Sequence, residues 1–359
     1  MKILRYIILF LLIATNAFAV VHYVDSTSAG GDGTTTATSG AQAAFATIAA
    51  VNSHSFADGD DVYFKNGQTF TTTNGLNVDW AGVNAANYAT IGCYTSTGVF
   101  TCATKPIFDG QSNTEPGIYD ALIYVGQGVC STCGFDYVEV ANIQTQDALG
   151  GGILYDNGSD YAYIHHNYTK NTTQQGILHA RSAYGVISYN TVERGSYNTS
   201  PGASLSVNGM GYDGWSHHNW IHHNTVYWGF EGIGVYKKSN TNIVEYNDVV
   251  DCRSYTLYSD ASRFNFFRYN RVFETDEDLD TGDAALFQDN EEERDYCYTG
   301  YNRWIGNKVA GASQGFNASC SYTADSCGVV RTYVLNNTFM DNYQHNISCL
   351  FRSSYLKRL

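Results

Sequence analysis

Proline, basic residues and long apolar segments are all scarce in this chain of 359 residues. Only three prolines occur beside 35 glycines and 29 tyrosines, a balance that predicts strands joined by tight turns and few helices. Lys and Arg number 20 against 34 Asp and Glu, giving a net charge of −14. This acidity disfavours nucleic acid as a partner, and any site for an acidic ligand must be locally basic or hold a cation.

The one marked apolar run stands at the N-terminus and has the layout of a secretory signal. Lys2 and Arg5 precede the apolar segment 6–13, and Ala17-Phe18-Ala19 offers a small-x-small cleavage site. The run is shorter than the roughly 20 residues that span a bilayer. We therefore expect removal of residues 1–19, a secreted or periplasmic product, and a net charge of −16 after two basic residues are lost.

Cysteine usage fits an exported chain. Nine cysteines predict partial disulfide bonding in an oxidising compartment. Cys93 with Cys102 and Cys320 with Cys327 are the expected local pairs. The odd number leaves at least one thiol unpaired.

An internal repeat runs through the second half of the chain. An apolar residue is followed closely by Asn in five strong copies, which end at Asn167, Asn190, Asn224, Asn247 and Asn270. Three of the four steps between these asparagines are 23 residues, and the fourth is 34. Such a period is typical of one coil of a solenoid, which is stable only when stacked on its neighbours. We expect each Asn to adopt a left-handed bend and to hydrogen-bond to the Asn of the next coil.

Segments before and within the repeat also carry a family pattern. They are Tyr23-Val24-Asp25-Ser26, Phe45-Ala46-Thr47-Ile48, Asp58-Gly59-Asp60-Asp61-Val62-Tyr63-Phe64, Ile91 to Tyr94, Lys105-Pro106-Ile107-Phe108-Asp109-Gly110 and the repeats from Glu231 to Arg271. Together they resemble the pectate-lyase-like superfamily. The resemblance implies an all-β, single-stranded right-handed parallel β-helix over 20–359, with N-terminal coils in 20–135 and regular coils in 136–345. It also implies a polysaccharide ligand, while the activity stays open because the superfamily includes lyases, hydrolases, epimerases and adhesins.

A second repeated strand in each coil pairs an aliphatic residue with an aromatic one. Alternation of side chains predicts that the aliphatic members point inward: Leu154, Leu178, Val235, Leu257 and Leu286. Their partners would form an exposed column that binds sugar rings: Tyr155, His179, Tyr236, Tyr258 and Phe287. The alternative is an ordinary amphipathic sheet covered by loops such as 276–295.

The resemblance implies a set of catalytic roles in this column. Lyases of the superfamily typically neutralise a substrate carboxylate with calcium or Arg and use Lys or Arg as base. Lys238 or Lys237 is then the candidate base, Arg181 holds the carboxylate, and Tyr236 or Tyr258 serves as acid. A lysine pair at a turn is also typical of a solvated surface.

Two carboxylates at strand ends complete this predicted site. Asp260 and Asp289 are candidate calcium ligands through hard oxygen atoms, or alternatively the paired carboxylates of a hydrolase. The acidic stretch 276–283 lacks the spacing of an EF-hand. The sequence thus favours β-elimination of an acidic glycan, with non-catalytic glycan binding or surface adhesion as the alternative.

The strand that precedes each repeated Asn supplies a further predicted surface. His222, Glu245 and Arg268 occupy consecutive coils, as substrate contacts or as cross-strand ion pairs. The next position along the chain is expected inside, as a core aromatic stack: His166, Tyr189, His223, Tyr246 and Tyr269. Alternation would then separate each His-His pair, which disfavours a transition-metal site.

Overall fold

The structure is a computed structural model, and a set of ranges makes up its described residues: 19–96, 98–99, 102–111, 120–126, 134–197, 202–209, 216–275, 284–289, 299–319, 331–342 and 344–349. Residues 1–18 of the predicted signal segment 1–19, the pair Cys320 and Cys327, and the acidic stretch 276–283 lie outside them. No described helix is long and apolar enough to cross a bilayer.

The strands are short and fall into three sheets. Sheet A contains Val21–Val24, Asp61–Lys65, Ala89–Thr95, Val138–Ala141, Tyr163–His165, Val186–Ser188, Trp220–His222, Ile243–Glu245, Phe266–Arg268, Arg303–Ile305 and Tyr333–Leu335, with Gly98–Val99 antiparallel at its side. Sheet B contains Thr69–Thr71, Ile107–Asp109, Gln144–Ala148, Tyr168–Thr172, Thr191–Glu193, Thr225–Tyr227, Asp248–Val250, Arg271–Phe273, Lys308–Ala310 and Thr338–Met340. Sheet C contains Leu76–Val78, Ile123–Val125, Ile153–Tyr155, Ile177–Ala180, Ala203–Asn208, Glu231–Tyr236, Leu257–Asp260, Ala284–Asp289, Gln314–Ala318 and His345–Cys349.

The chain visits the three sheets in turn, one strand of each per coil. One coil runs from Ile243–Glu245 in sheet A to Asp248–Val250 in sheet B and Leu257–Asp260 in sheet C, and the next begins at Phe266–Arg268. All strand pairs within this path are parallel. The predicted right-handed parallel β-helix is confirmed.

The core is the interior of the coil, where each strand contributes inward side chains that stack on those of the next coil. Along sheet A the inward column is aliphatic and then aromatic: Ile164, Ile187, Ile221, Val244, Phe267 and Trp304. Each fully buried aliphatic side chain contributes about 1.5–3 kcal/mol. The helix Ile48–Asn52, capped by the Thr47 hydroxyl, adds Ile48 and Val51 to this core.

The asparagine ladder is confirmed, although its conformational basis differs from the prediction. Asn224 is buried, and its side-chain oxygen accepts hydrogen bonds from the backbone and side-chain amides of Asn190, both at 3.0 Å. Its own side-chain amide donates to Asn247 Oδ1 at 3.0 Å and to the Ile187 carbonyl at 2.8 Å. The left-handed residue is not the Asn but the one before it, such as His223 with φ 55°.

That left-handed position explains why one predicted orientation is wrong. His166, Tyr189, His223, Tyr246 and Tyr269 have φ between 53° and 57°, so strand alternation stops there and their rings point outward. They form an exposed stack at the corner between sheets A and B, with ring centroids 5.0–5.4 Å apart. The predicted core stack is therefore a surface ladder, whose ring faces are largely covered by their neighbours.

A second ladder of the same kind lies at the corner between sheets C and A. Its rings are Tyr137, Tyr161, Tyr184 and His218, again at left-handed positions. Buried asparagines run beneath this corner too, at Asn219, Asn242, Asn265 and Asn302. Aromatic ladders thus flank both sides of sheet A.

The predicted Cys93–Cys102 disulfide is present. It ties the end of the strand Ala89–Thr95 to the segment that leads to sheet B. Cys252 is a free, buried thiol, and burial raises its pKa well above the usual value.

Candidate functional site

The five residues of the predicted aromatic column on sheet C do not all lie on the same face of the sheet. Tyr155 and His179 align with Val207 and Val235 on the inner face, so their predicted outward orientation is wrong. Tyr155 donates to the Val138 carbonyl at 3.1 Å. His179 is fully buried, and burial lowers its pKa to about 3. Neither side chain is available to bind substrate.

The same register places the predicted inner residues Leu154 and Leu178 outside, in a small buried cluster with Tyr124. The error arose because aliphatic residues were matched across coils, whereas the strands align with Ile177 beside Ile153 and Ile233 beside Leu257. A shift of one residue reverses every side chain in a strand.

Tyr236, Tyr258 and Phe287 do lie on the outer face of sheet C, but they are only 4–5% exposed. The Tyr258 ring lies 5.2 Å from both of the others. Tyr236 donates a hydrogen bond to Glu231, and burial, followed by the charges of Asp260 and Glu231, raises the pKa of Tyr258. The predicted exposed column is therefore wrong, since these three rings form a covered cluster.

The predicted cationic residues lie at the turns that follow sheet C. Lys237 and Lys238 are half-buried, with φ of 51° and 66°. Arg181 makes a bidentate ion pair with the buried Asp156, at 2.7 and 2.5 Å. Arg181 and Lys237 occupy the same turn position two coils apart, roughly 10 Å in backbone separation. The predicted base and the predicted carboxylate holder thus lie two coils apart in the same column of turns, and their roles stay predictions.

Asp260 and Asp289 are brought together as predicted. They are partners in neighbouring strands, and both are fully buried. Calcium takes six to eight oxygen ligands, and no group of three acidic, histidine or cysteine side chains able to hold a metal converges among the described residues. We therefore assign no reaction step to a cation here.

An open cavity of about 460 Å³ lies where the aromatic ladder meets sheet B. We call it the corner pocket, and its lining residues are Ala103, Thr104, Lys105, Gln144, His166, Asn167, Tyr168, Tyr189, Thr191 and Tyr227. Several of these side chains can bind or transfer protons. Together they make this pocket a candidate site.

A chain of hydrogen bonds orients His166 in the corner pocket. His165 Nε2 lies 2.6 Å from Glu139 Oε1, and His165 Nδ1 lies 2.8 Å from His166 Nδ1. Since a carboxylate only accepts, His165 presents Nε2–H to it and accepts at Nδ1 from His166. This assignment leaves the lone pair of His166 on Nε2. Burial, then His165 and Lys105, lowers the pKa of His166, so the ring is a neutral base at neutral pH.

Lys105 and two tyrosines supply the other reactive groups. Lys105 is half-buried, and this burial lowers its pKa. Tyr168 and Tyr227 both donate to Glu193 Oε2, the latter at 3.1 Å. Burial is the main cause that raises the pKa of each phenol, so both keep their protons near neutral pH. The pocket therefore combines a cation, a base and proton donors.

The sequence analysis did not predict this pocket, because it did not recognise that a separate strand, in sheet B, begins directly after each repeated Asn. The signal was present in the alternating residues after each Asn: Tyr168-Thr169-Lys170, Thr191-Val192-Glu193 and Thr225-Val226-Tyr227. Their first and third members face outward. The contribution of Lys105 depends on a loop whose course only the fold shows.

The predicted ladder on sheet A is formed as expected. His222, Glu245 and Arg268 are partners in consecutive strands. Arg268 Nε lies 2.5 Å from Glu245 Oε2, which confirms the cross-strand ion pair. Each His-His pair, however, lies wholly on the outside, with Nδ1 atoms 2.7–2.8 Å apart, because its second member is at the left-handed corner. Contact of these residues with substrate stays a prediction.

Solved structures share this architecture. An alginate lyase from Paenibacillus sp. str. FPU-7 matches with a TM-score of 0.61 at 14% identity, over 90% of this chain and 99% of that one. The surface protein and adhesin PfbA of Streptococcus pneumoniae matches with a TM-score of 0.52 at 8% identity, over 80% and 91% of the two chains. The GH136 lacto-N-biosidase from Eubacterium ramulus gives 0.51 at 12% identity, over 92% and 68%.

At these identities the likeness shows the fold alone, a right-handed parallel β-helix. No protein-family model and no curated protein matches the sequence. The function must therefore be argued from the site.

Proposed function

We propose that this protein cleaves an acidic polysaccharide by β-elimination in the corner pocket. One observation carries the proposal: Lys105, the oriented His166 and the phenol of Tyr227 line the same open cavity. β-Elimination from a uronic acid needs a cation at the carboxylate, a base for the adjacent carbon-bound proton, and an acid for the leaving oxygen.

The reaction assigns one step to each group. Lys105 pairs with the substrate carboxylate, an interaction that partial burial strengthens. His166 Nε2 removes the proton from C5, the electron pair forms the C4–C5 double bond, and the C4–O bond breaks. Tyr227 protonates the leaving oxygen and regains its proton from the His166 imidazolium through water. Glu139 and His165 act as positioning residues, because they fix the orientation of His166.

Acidic polysaccharide is favoured as substrate by the local charge. The protein as a whole is acidic, but Lys105 lines the corner pocket, while the neighbouring Glu193 is paired with Lys170 at 3.7 Å. A structurally similar protein is an alginate lyase, which makes alginate the first substrate to test. We also propose secretion, supported by the N-terminal pattern and by the Cys93–Cys102 disulfide.

Incubation of the purified protein with alginate and with polygalacturonate tests the proposal. We expect products that absorb in the ultraviolet, because each elimination leaves a double bond conjugated to a carboxylate. The reaction is run with added calcium and with EDTA, which also tests the predicted calcium requirement at Asp260 and Asp289. Binding to both uronans without any cleavage would contradict the lyase and favour the glycan-binding alternative.

A glycoside hydrolase is the second candidate, supported by the pairing of Asp260 and Asp289. Neighbouring strands are about 4.8 Å apart, close to the carboxylate separation of about 5 Å in retaining glycosidases. Both carboxylates are buried beside Tyr258. Hydrolysis would create new reducing ends without ultraviolet absorbance, so the same incubation distinguishes the two reactions.

A further inference from the structure

The outer face of sheet A carries an aromatic side chain on every second coil. In register order its outward column reads Tyr163, Val186, Trp220, Ile243, Phe266, Arg303 and Tyr333. Because coils stack about 4.8 Å apart, successive aromatic rings recur at about 10 Å. We call the four rings Tyr163, Trp220, Phe266 and Tyr333 the aromatic face.

Two of these rings are held in the same way. Tyr163 lies 4.0 Å from the His165 ring, and Trp220 lies 4.0 Å from the His222 ring, at similar tilts of 35° and 31°. Trp220 Nε1 also donates to Glu245 Oε1 at 2.7 Å, yet the residue remains 42% exposed. A large ring that is both fixed and exposed can bind a ligand with little loss of conformational entropy.

The flanking ladders do not offer the same kind of surface. Their rings stack on one another, as Tyr246 does on Tyr269 at 5.3 Å, so mainly ring edges face solvent. Tyr184 and Tyr246 are nevertheless exposed along the two corners. They border the aromatic face on both sides.

The part of this face from Trp220 to Tyr333 carries one more basic than acidic residue, although the whole protein is acidic. The strands from Trp220–His222 to Tyr333–Leu335 carry Arg268 and Arg303 against a single acid, Glu245. The Arg303 guanidinium lies 4.8 Å from the Phe266 ring centroid and 5.9 Å from that of Tyr333. A cation is thus placed between two rings of the aromatic face, where a negatively charged ligand would meet it.

We propose that the aromatic face binds an extended acidic polysaccharide whose repeating unit is two sugars long. A β-1,4-linked uronan with two-fold symmetry presents the same sugar face at every second residue, a repeat close to two coils. Every second sugar then stacks on an aromatic ring, and a carboxylate between them meets Arg303. This binding requires no catalysis, and so it stands apart from cleavage in the corner pocket.

Affinity electrophoresis through gels containing mannuronate-rich alginate tests the proposal, on the wild type and on Trp220→Ala. We expect the variant to bind about tenfold more weakly or worse. Trp228→Ala is the matched control, since Trp228 is 45% exposed but lies at the corner after sheet B, away from this face. Its affinity should equal that of the wild type, and thermal melts verify that both variants fold.

Charge specificity is tested with a neutral β-1,4-glucan in the same gels. We expect weaker retardation than with alginate, and Arg303→Ala should reduce only the alginate affinity. Unchanged alginate binding by Trp220→Ala, an equal loss in Trp228→Ala, or equally tight binding of the neutral glucan would overturn the proposal. Repeating the measurement with His166→Gln separates this binding from cleavage, because retained affinity without product formation is expected there.

Discussion

The His166→Gln variant is expected to lose uronan cleavage by about 100- to 10,000-fold in kcat, the usual contribution of a general base. Glutamine keeps the approximate size of the side chain but cannot take up a proton. His166 is exposed at its corner, so the free energy of unfolding should change little. Initial rates of unsaturated product formation measure the effect.

His223→Gln is the matched control for that variant. His223 occupies the same left-handed corner position and makes the same contact between Nδ1 atoms with its preceding histidine, at 2.8 Å. It does not line the corner pocket. Its rate should stay near that of the wild type, and an equal loss in both variants would contradict a specific role for His166.

The pH dependence of kcat/KM is an independent test of His166 as the base. Because burial lowers the pKa of His166, activity should persist below the ordinary histidine value of about 6.5 and fall at more acidic pH as Nε2 becomes protonated. Glu139→Gln removes a negative charge that stabilises the protonated pair of rings, so the acidic limb of kcat/KM should move to lower pH. A profile identical to that of the wild type would rule out the positioning role of Glu139.

The Asn224→Leu variant is expected to be destabilised by about 4 kcal/mol, the largest effect on stability that we anticipate. Leucine matches the size of asparagine but removes a side chain that links three coils. The backbone amide of Asn190 and the carbonyl of Ile187 would lose these partners while buried, and each such loss costs about 1–3 kcal/mol. Urea unfolding followed by far-ultraviolet circular dichroism measures the change.

Asn337→Leu provides the comparison within the same ladder. Asn337 accepts from Asn307 and donates to the Trp304 carbonyl, but it is only partly buried. Water can replace some of its hydrogen bonds, so its loss should cost less than half as much. Equal midpoints for Asn224→Leu and the wild type would show that the ladder does not stabilise the fold.

The fold was accessible from the sequence because stacking of identical units imposes a visible period. The 23-residue spacing of Asn224, Asn247 and Asn270 reflects one coil, and each Asn must meet its equivalent in the next coil. A second series of asparagines has the same spacing, at Asn219, Asn242 and Asn265. Each of them follows a Ser by three residues. That spacing also predicts an asparagine ladder.

The orientation of the side chains was harder to predict from the sequence, for two physical reasons. A left-handed residue such as Tyr246 interrupts strand alternation, and an aromatic side chain there gives no sign that it faces outward. On sheet C, Tyr155 and Tyr258 occupy opposite faces at equivalent-looking positions, because the strand register differs by one residue from an alignment of similar side chains. Tyr155 satisfies its buried hydroxyl through the Val138 carbonyl, which no local pattern reveals.

The candidate site depended on contacts between distant parts of the chain. Glu139, His165 and His166 form a chain of hydrogen bonds that joins adjacent coils. Lys105 lies in an earlier loop and lines the same pocket. Sequence reasoning instead favoured Lys238 and Arg181, which the fold keeps on separate coils. Similar chemical groups thus occur at both places, and the sequence alone does not show which of them converge.

Rates of uronan elimination by two sets of variants test most directly whether cleavage occurs in the corner pocket. Lys105→Met and Tyr227→Phe alter that pocket, while Asp260→Asn and Asp289→Asn alter the covered face of sheet C. With melting temperatures measured for all four, we predict that the first two lose about 100-fold in rate and the last two keep most of theirs. Loss confined to the aspartate variants would contradict the assignment and place catalysis on sheet C.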